Sequence, residues 1–333
     1  MKKMKRDLLP WAFILFLSLG LAYWASIPVS ETSTSKVAIV TIPESTISTI
    51  ELSAPDSKVL AKRRSDINDR WWISSERKGQ AASAGQIESS ATNERFMASA
   101  KFKDMLAQLS PFQALRVIGK VSDEQLQEFG LRDSLKSMII KDSAGASPLS
   151  LLIGKQLYGS RNHYVLNQAD QKVLLVSGDF INDFEKPELR VFERSISAIS
   201  PEEIQTTLIS AGGKSKKFSH TKRDSKGALV WTVEGGSGDP VAIASTWFDK
   251  FAQLKAAMYA TDAEEVSLNS IPALFELEIN GVGTATETIQ VRKRMNAGST
   301  EFWLTGSYLK WNVKVAATRA EVLEKDLHQL LGN

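Results

Sequence analysis

The chain has 333 residues, a formal net charge of +3, 43% hydrophobic residues and 24% charged residues. This balance is typical of a folded globular protein with room for two domains, and it excludes global disorder. The absence of cysteine excludes disulfides, thiolate metal sites, thiol nucleophiles and lipid attachment through a thiol. Because acidic and basic residues are interspersed, we expect no nucleic acid partner.

Near the N-terminus, an uncharged apolar run extends from Leu8 to Ile27, and four basic residues precede it. A helix of that length spans the roughly 30 Å of a bilayer's hydrocarbon core. Basic residues before a span stay on the cytoplasmic side. We therefore predict a cytoplasmic segment at 1–7, a transmembrane anchor at 8–27 and an exported remainder, in a bacterial inner membrane crossed once. A cleaved secretory signal remains the alternative, although the run is long for one.

Residues 28–36 are polar and without pattern, which predicts a tether, and residues 37–190 form the first predicted unit. A long exposed loop is expected at Ser74 to Thr92, to which the sequence assigns no role. The predicted strands and helices of this unit alternate in hydrophobicity or follow helical spacing. They are strands at Val37–Ile42, Ile47–Leu52, Lys58–Arg63, Trp71–Ile73, Ser137–Lys141, Leu149–Ile153, Tyr164–Leu166 and Val173–Val176, and helices at Arg95–Leu109, Ser122–Gly130 and Phe180–Glu185.

Residues 191–333 repeat the same order of elements and form the second predicted unit. Phe248 to Leu254 reads FDKFAQL and echoes FKDMLAQL at Phe102 to Leu109, and Trp231 is expected to be equivalent to Trp72. The predicted fold is therefore α+β, with an N-terminal transmembrane helix followed by two similar antiparallel-sheet-plus-helix units, an internal duplication. Coincidence of short elements is the alternative.

No constellation of reactive residues is evident, so we predict a non-enzymatic protein with no catalytic residue, metal or cofactor. His163, His220 and His328 are far apart and lack metal-ligand spacing. The carboxylate pairs Asp123-Glu124 and Glu202-Glu203 are expected to start helices, where negative charge is favourable. The glycine pairs at 212–213 and 281–283 are typical of hairpin turns rather than phosphate loops.

Basic residues on two predicted hairpins are the candidate partner-binding residues. A solvated strand face is the alternative. The candidates are Lys214, Lys216, Lys217, Lys222 and Arg223 in the second unit, with Arg63 and Arg64 in the first.

Several short motifs give the chain a resemblance to a known family. They are Trp71-Trp72-Ile73, Ser110 to Val117 (SPFQALRV), Phe129-Gly130-Leu131, Leu152-Ile153-Gly154 and Tyr164-Val165-Leu166. In their order the chain resembles the family called domain of unknown function 4340, from about Val37 to at least Val266. The resemblance implies a bacterial protein with one N-terminal span, often encoded beside gliding-motility-type ABC transporter subunits, with no established activity.

We expect a membrane-anchored extracytoplasmic accessory protein of an ABC-type transport or gliding-motility-like complex, which acts by contact with transporter permease subunits. The alternative is a cell-envelope module that binds glycan or lipid in a groove between the units, lined by Trp303, Tyr308 and Trp311. A hydrolase would require carboxylates that the sequence does not place together.

Overall fold

The computed structural model describes residues 36–65, 70–78, 92–223 and 229–332. The predicted cytoplasmic segment, the anchor at 8–27 and nearly all of the tether lie outside these residues. Within the described ranges, no helix combines the length and the apolar character that crossing a membrane requires. The described residues form two antiparallel sheets and seven helices, so the α+β class is confirmed.

Sheet one contains ten strands in the described part of the chain, in the order β1-β6-β10-β9-β8-β7-β2-β3-β4-β5, and every neighbouring pair is antiparallel. The strands are β1 (Val37–Val40), β2 (Ile47–Ala54), β3 (Ser57–Arg64), β4 (Arg70–Arg77), β5 (Thr92–Met97), β6 (Phe112–Gly119), β7 (Ser137–Asp142), β8 (Leu149–Gln156), β9 (His163–Asn167) and β10 (Lys172–Val176).

Sheet two contains eight strands over the same described ranges, in the order β13-β12-β11-β15-β16-β17-β18-β14, and it is also antiparallel throughout. The strands are β11 (Ile204–Ala211), β12 (Lys214–Arg223), β13 (Leu229–Val233), β14 (Met258–Tyr259), β15 (Phe275–Gly281), β16 (Thr286–Asn296), β17 (Ser299–Gly306) and β18 (Val313–Val315).

The helices divide between the two faces of each sheet. They are α1 (Lys101–Ala107), α2 (Asp123–Glu128), α3 (Asp179–Glu185), α4 (Pro187–Arg190), α5 (Ala242–Ala252), α6 (Asp262–Asn269) and α7 (Ala317–Leu331). The apolar sides of α1, α3, α5 and α7 join one continuous core that extends through both units. Helices α2 and α6 cover small satellite cores on the opposite faces. Both begin with a capping box, at Ser122 with Gln125, as the sequence predicts, and at Thr261 with Glu264.

The two sheets repeat one topology. Strands β4-β3-β2-β7-β8-β9-β10-β6 have the same chain order and spatial order as β13-β12-β11-β15-β16-β17-β18-β14. In each unit, one helix, α1 or α5, lies in the chain between the meander and the equivalent strand β6 or β14, and a second helix, α2 or α6, precedes the second group of strands. Sheet one adds β1 and β5 at its two edges. The boundary between residues 190 and 191 stays a prediction.

The hydrogen-bond register aligns the two meanders residue by residue. Ala54 pairs with Ser57 at the first hairpin, and Ala211 pairs with Lys214 at the second. Counting back four residues, Ile50 corresponds to Thr207. On the next strands Arg63 pairs with Trp71, and His220 pairs with Trp231.

The equivalence of Trp72 with Trp231 is therefore wrong by one residue, because Trp71 holds the matching position. The packing agrees with the register. Trp71 contacts Phe102 of α1 at 5.3 Å between ring centroids, and Trp231 stacks on Phe248 of α5 at 3.8 Å. Trp72 is buried on the opposite face of sheet one, as alternation along a strand requires.

Three other local predictions are wrong. Residues 95–97 belong to β5 rather than to a helix, because they pair with β4. Residues 74–77 lie in β4 rather than in a loop, although residues 79–91 lie outside the described ranges. Glu202 and Glu203 lie in a turn rather than at a helix start. Strand β6 and helix α6 are further elements that the sequence patterns do not predict.

Candidate functional site

The predicted basic residues of the second unit lie on both faces of β12. Lys216 donates from Nζ to the carbonyl oxygen of Leu330 at 3.1 Å, which satisfies an end carbonyl of α7. Lys217 points to the other face and pairs with Glu234 at 2.8 Å. Lys214 is exposed beside the Gly212-Gly213 turn. Lys216 and Lys217 thus hold local structure in place, and the basic residues of β12 do not share one face.

Arg63 and Arg64 lie on β3, in the other sheet. Arg63 donates from Nη1 to the carbonyl oxygen of Ser45 at 2.8 Å. The guanidinium of Arg64 lies 5.7 Å from the Trp72 ring. The side chains of Lys222 and Arg223 lie outside the described residues. The structure therefore separates the seven candidates between two sheets, and their role in partner binding stays a prediction.

Arg64 lies at the junction between the two units, where guanidinium groups contact aromatic rings. Trp72 of sheet one packs edge-on against Tyr259 and Trp311 of the second unit, at 5.6 and 5.2 Å between ring centroids. Arg95 of β5 lies 4.8 Å from the Trp311 ring. Its Nη1 is 2.6 Å from Oδ1 of Asp262 at the start of α6. Cation–π contacts of this kind contribute about 0.5–1 kcal/mol each at exposed sites and more when desolvated.

Glu193 organises the other side of the junction. Its Oε2 accepts a hydrogen bond from the Tyr308 hydroxyl at 3.0 Å, and its carbonyl oxygen accepts one from the Tyr259 hydroxyl at 3.1 Å. Burial and the nearby Glu193 carboxylate raise the pKa of Tyr308 to about 12, so the hydroxyl stays protonated and donates. The pKa of Tyr259 is also raised, mainly by burial. Arg70 covers the Tyr308 ring at 3.9 Å. The Arg70–Tyr308 contact crosses between the units, as does the hydrogen bond that the backbone N–H of Glu193 donates to the Met97 carbonyl oxygen at 2.9 Å.

The aromatics predicted to line a groove contribute to packing instead. Trp303 is buried in the satellite core under α6, and its indole N–H donates to Glu301. Trp311 is half-buried at the junction and donates to the carbonyl oxygen of Ala260 at 2.8 Å. Tyr308 is held between Arg70 and Glu193. Trp303 therefore does not line a groove, Tyr308 and Trp311 belong to the junction, and the binding of glycan or lipid stays a prediction.

A hollow of about 290 Å³ lies beside that junction, where the edge of β5 approaches the edge of β14. Its lining includes Arg95, Phe192, Met258 and Asp262. Sequence reasoning missed Arg95 and Asp262, because they meet only through the packing of two separate units, and it missed Glu193, whose partners Tyr259 and Tyr308 lie 66 and 115 residues away. No local motif marks any of them.

The histidines and glycines have local explanations. His163 is buried and its Nε2 lies 3.2 Å from Oδ1 of Asn182. Within the described ranges, no group of three or more residues could hold a metal ion. Gly212 and Gly213 form the β11–β12 turn with positive φ, as predicted, while Gly281 ends β15 and residues 282–283 lie in the turn that follows. The absence of a metal or a cofactor stays a prediction.

One sheet edge is open on the side where the chain leaves the predicted tether. Strand β1 pairs with β6 over Phe112 to Ala114, and no other strand of the described residues pairs with β1. Val37 and Ala38 are exposed. Arg116 and Val117 of β6, beyond the end of β1, are exposed as well. Unpaired backbone groups at such an edge can accept a strand from another chain.

Three of the short motifs meet at one place on the outer face of sheet one. The Phe129 ring stacks on Tyr164 at 4.4 Å between centroids, and the Phe129 carbonyl oxygen accepts a hydrogen bond from the backbone N–H of Lys155 at 2.8 Å. A Cβ at Gly154 would lie 2.4 Å from that oxygen, so only glycine allows the close approach. Gly130 ends the α2 segment with φ of 67°. The motifs therefore mark a docking of α2 on sheet one.

The comparisons with known proteins agree with these motifs. A family model described as "Domain of unknown function (DUF4340)" matches residues 119–288, which cover just over half of the chain and include the α2 docking site. The motifs at 71–73 and 110–117 precede the matched range. Searches of curated proteins and of solved structures give no match. The chain belongs to the DUF4340 family.

Proposed function

We propose that this protein is a non-enzymatic accessory subunit of an ABC-type transport or gliding-motility-like complex, anchored in the bacterial inner membrane by residues 8–27. In this proposal the two sheet units lie outside the cytoplasm, and the protein acts by contact with permease subunits. The observation that carries the proposal is the open edge of sheet one, formed by β1 and the exposed end of β6.

The position of that edge relative to the anchor supports a partner in the membrane. Residues 28–36 separate the proposed anchor from β1, and nine extended residues reach at most about 30 Å. The β1 edge therefore stays near the membrane surface, where the extracytoplasmic loops of a permease lie. An incoming strand would gain main-chain hydrogen bonds along the edge, and exposed side chains such as Ala38 would select it.

The junction supports a role in which the second unit is held at a set position. The aromatic contacts of Trp72, the Arg95–Asp262 ion pair and the contact of Arg70 with the Tyr308 ring join the units. Movement of the first unit against a permease would therefore displace the second unit as well. We also infer that the two units arose by internal duplication, since their strand orders coincide.

The test is photo-crosslinking in membranes. A benzophenone amino acid replaces Ala38 on β1 in one variant and Tyr158, which is fully exposed between β8 and β9, in a control. We expect the probe at position 38 to form adducts with a polytopic ABC transporter subunit, and the probe at position 158 to form none. Adducts with the same proteins at both positions, or no adduct at position 38, would contradict the proposal.

A substitution that adds a charge to the edge strand provides a second test of the proposal. Ala38→Lys places an ammonium group on the edge strand, where lysine disfavours strand addition. Ala169→Lys places the same group in the exposed β9–β10 turn as a control. We expect only the first variant to recover less transporter subunit from solubilised membranes. A reporter fused to the C-terminus should be active outside the cytoplasm, and a cytoplasmic reporter would contradict the proposed orientation.

A further inference from the structure

The second unit contains a partly open cavity of about 280 Å³ between the inner face of sheet two and helix α5. The segment 195–201 covers the cavity as a strap, and Glu287, which is buried, binds the strap by accepting hydrogen bonds from Ser197 Oγ and the backbone N–H of Ala198. Leu277, Ile279 and Phe251 supply much of the apolar wall. Exposed Asp249 and Lys255 stand at the rim.

Two buried polar groups of the wall have no hydrogen-bond partner among the described residues. They are the hydroxyl of Thr207, which is 0% exposed, and the indole N–H of Trp231, which is 1% exposed. Leaving a buried donor or acceptor unpaired is unfavourable, so such groups usually mark a missing partner. The indole N–H groups of Trp247, Trp303 and Trp311 in the same unit are all paired.

The register between the two units indicates that the fold does not require a hydroxyl here. The position that corresponds to Thr207 is Ile50, which is completely buried in sheet one and belongs to its core. An apolar side chain is therefore compatible with this place in the topology. The hydroxyl of Thr207 is a feature of the second unit, and Thr207 and Trp231 are both among the residues that line the cavity.

We propose that this cavity binds a small neutral cyclic compound that carries a carbonyl or hydroxyl oxygen. The indole N–H of Trp231 only donates, so the ligand must present an acceptor, while Thr207 can donate or accept. No charged side chain belongs to the wall away from the rim, and burial of an unpaired charge is costly, so the bound group is neutral. An engineered cavity of about 150 Å³ binds benzene, which has six carbon atoms. At the same volume per atom, this cavity holds about eleven non-hydrogen atoms.

The test uses two probes of matched shape, 4-ethylacetophenone and 1,4-diethylbenzene, which differ by one carbonyl oxygen. Equilibrium dialysis is performed with the full chain in lipid nanodiscs. Empty nanodiscs of the same lipid measure the partition of each probe into lipid. Binding is the excess of probe over those discs.

We expect the ketone to bind the natural chain about tenfold more tightly than the hydrocarbon, the value of one good hydrogen bond. Thr207→Val keeps the shape of the side chain. It should weaken binding of the ketone about threefold to tenfold without weakening binding of the hydrocarbon. Thr288→Val, at an exposed position of β16, should change the affinity of neither probe. Equal binding of the two probes, no excess over the empty discs, or an unchanged ketone affinity in Thr207→Val would overturn the proposal.

Discussion

The carboxylate of Glu301 holds together the outer face of sheet two, and its removal gives a sharp test of the structure. Glu301 is 7% exposed on β17. Its Oε2 accepts hydrogen bonds from Arg294 Nη2 at 2.6 Å and from the Trp303 indole at 3.2 Å, and its Oε1 accepts one from Lys314 Nζ at 2.8 Å. Arg294 extends the network to Glu264, the capping-box residue of α6.

The lowered pKa of Glu301 gives the size of the expected loss of stability. Burial alone would raise this pKa, but the hydrogen bonds from Lys314, Arg294 and Trp303 lower it from 4.5 to about 2. At about 1.4 kcal/mol per pKa unit, the ionised form contributes about 3 kcal/mol to folding. Because the folded pKa is lowered, this contribution is complete above the unfolded pKa of 4.5 and is lost as the pH falls toward 2.

We therefore expect Glu301→Gln to reduce the free energy of unfolding by about 3 kcal/mol at pH 7, which corresponds to a fall of about 6–12 °C in Tm. The assay is thermal and urea unfolding of the full chain in detergent, followed by far-ultraviolet circular dichroism. The difference between natural chain and variant should be constant from pH 7 to pH 5 and should shrink between pH 4.5 and pH 2.

Glu324→Gln is the matched control. Glu324 pairs with Lys293 at 2.8 Å on the surface, where an ion pair contributes about 0–1 kcal/mol. The reasoning would be refuted if Glu301→Gln cost less than about 1 kcal/mol, if the two variants cost the same, or if the loss at Glu301 did not diminish in acid.

Two further substitutions test the junction and the α2 docking site. Trp72→Ala should cost about 3–5 kcal/mol, because Trp72 is 3% exposed and contacts Tyr259 and Trp311, and calorimetry should resolve two unfolding transitions where the natural chain has one. A single transition at an unchanged temperature would contradict the described junction. Gly154→Ala should cost about 1–3 kcal/mol in urea unfolding, because its Cβ would lie 2.4 Å from the Phe129 carbonyl oxygen. Lys155→Ala keeps the backbone N–H that bonds this oxygen and should cost less than 0.5 kcal/mol, so equal effects would argue against the close approach.

Local patterns in the sequence were sufficient to predict most elements of the fold. Alternation identified strands such as β15, the capping box at Ser122 identified α2, and glycines at 212–213 identified a hairpin turn. These features depend on interactions within a few residues, so one sequence contains them. The repeated order of elements was visible for the same reason, and both sheets follow it.

Local patterns failed where pairing between distant segments overrides them. Residues 95–97 follow a helical spacing, yet they pair with β4 as a strand. The equivalence of Trp72 with Trp231 failed by one residue because register depends on hydrogen bonds between strands, and a shift of one residue places a side chain on the other face.

The sequence by itself determined the apolar N-terminal run, the α+β class, the twofold order of elements and the lack of cysteine chemistry. Only the tertiary structure placed Arg95 beside Asp262, 167 residues away, and joined the units through Trp72 with Trp311 and Arg70 with Tyr308. It also left the hydroxyl of Thr207 unpaired in a cavity. Burial and the absence of a partner are properties of a packed neighbourhood, and no short stretch of sequence specifies that neighbourhood.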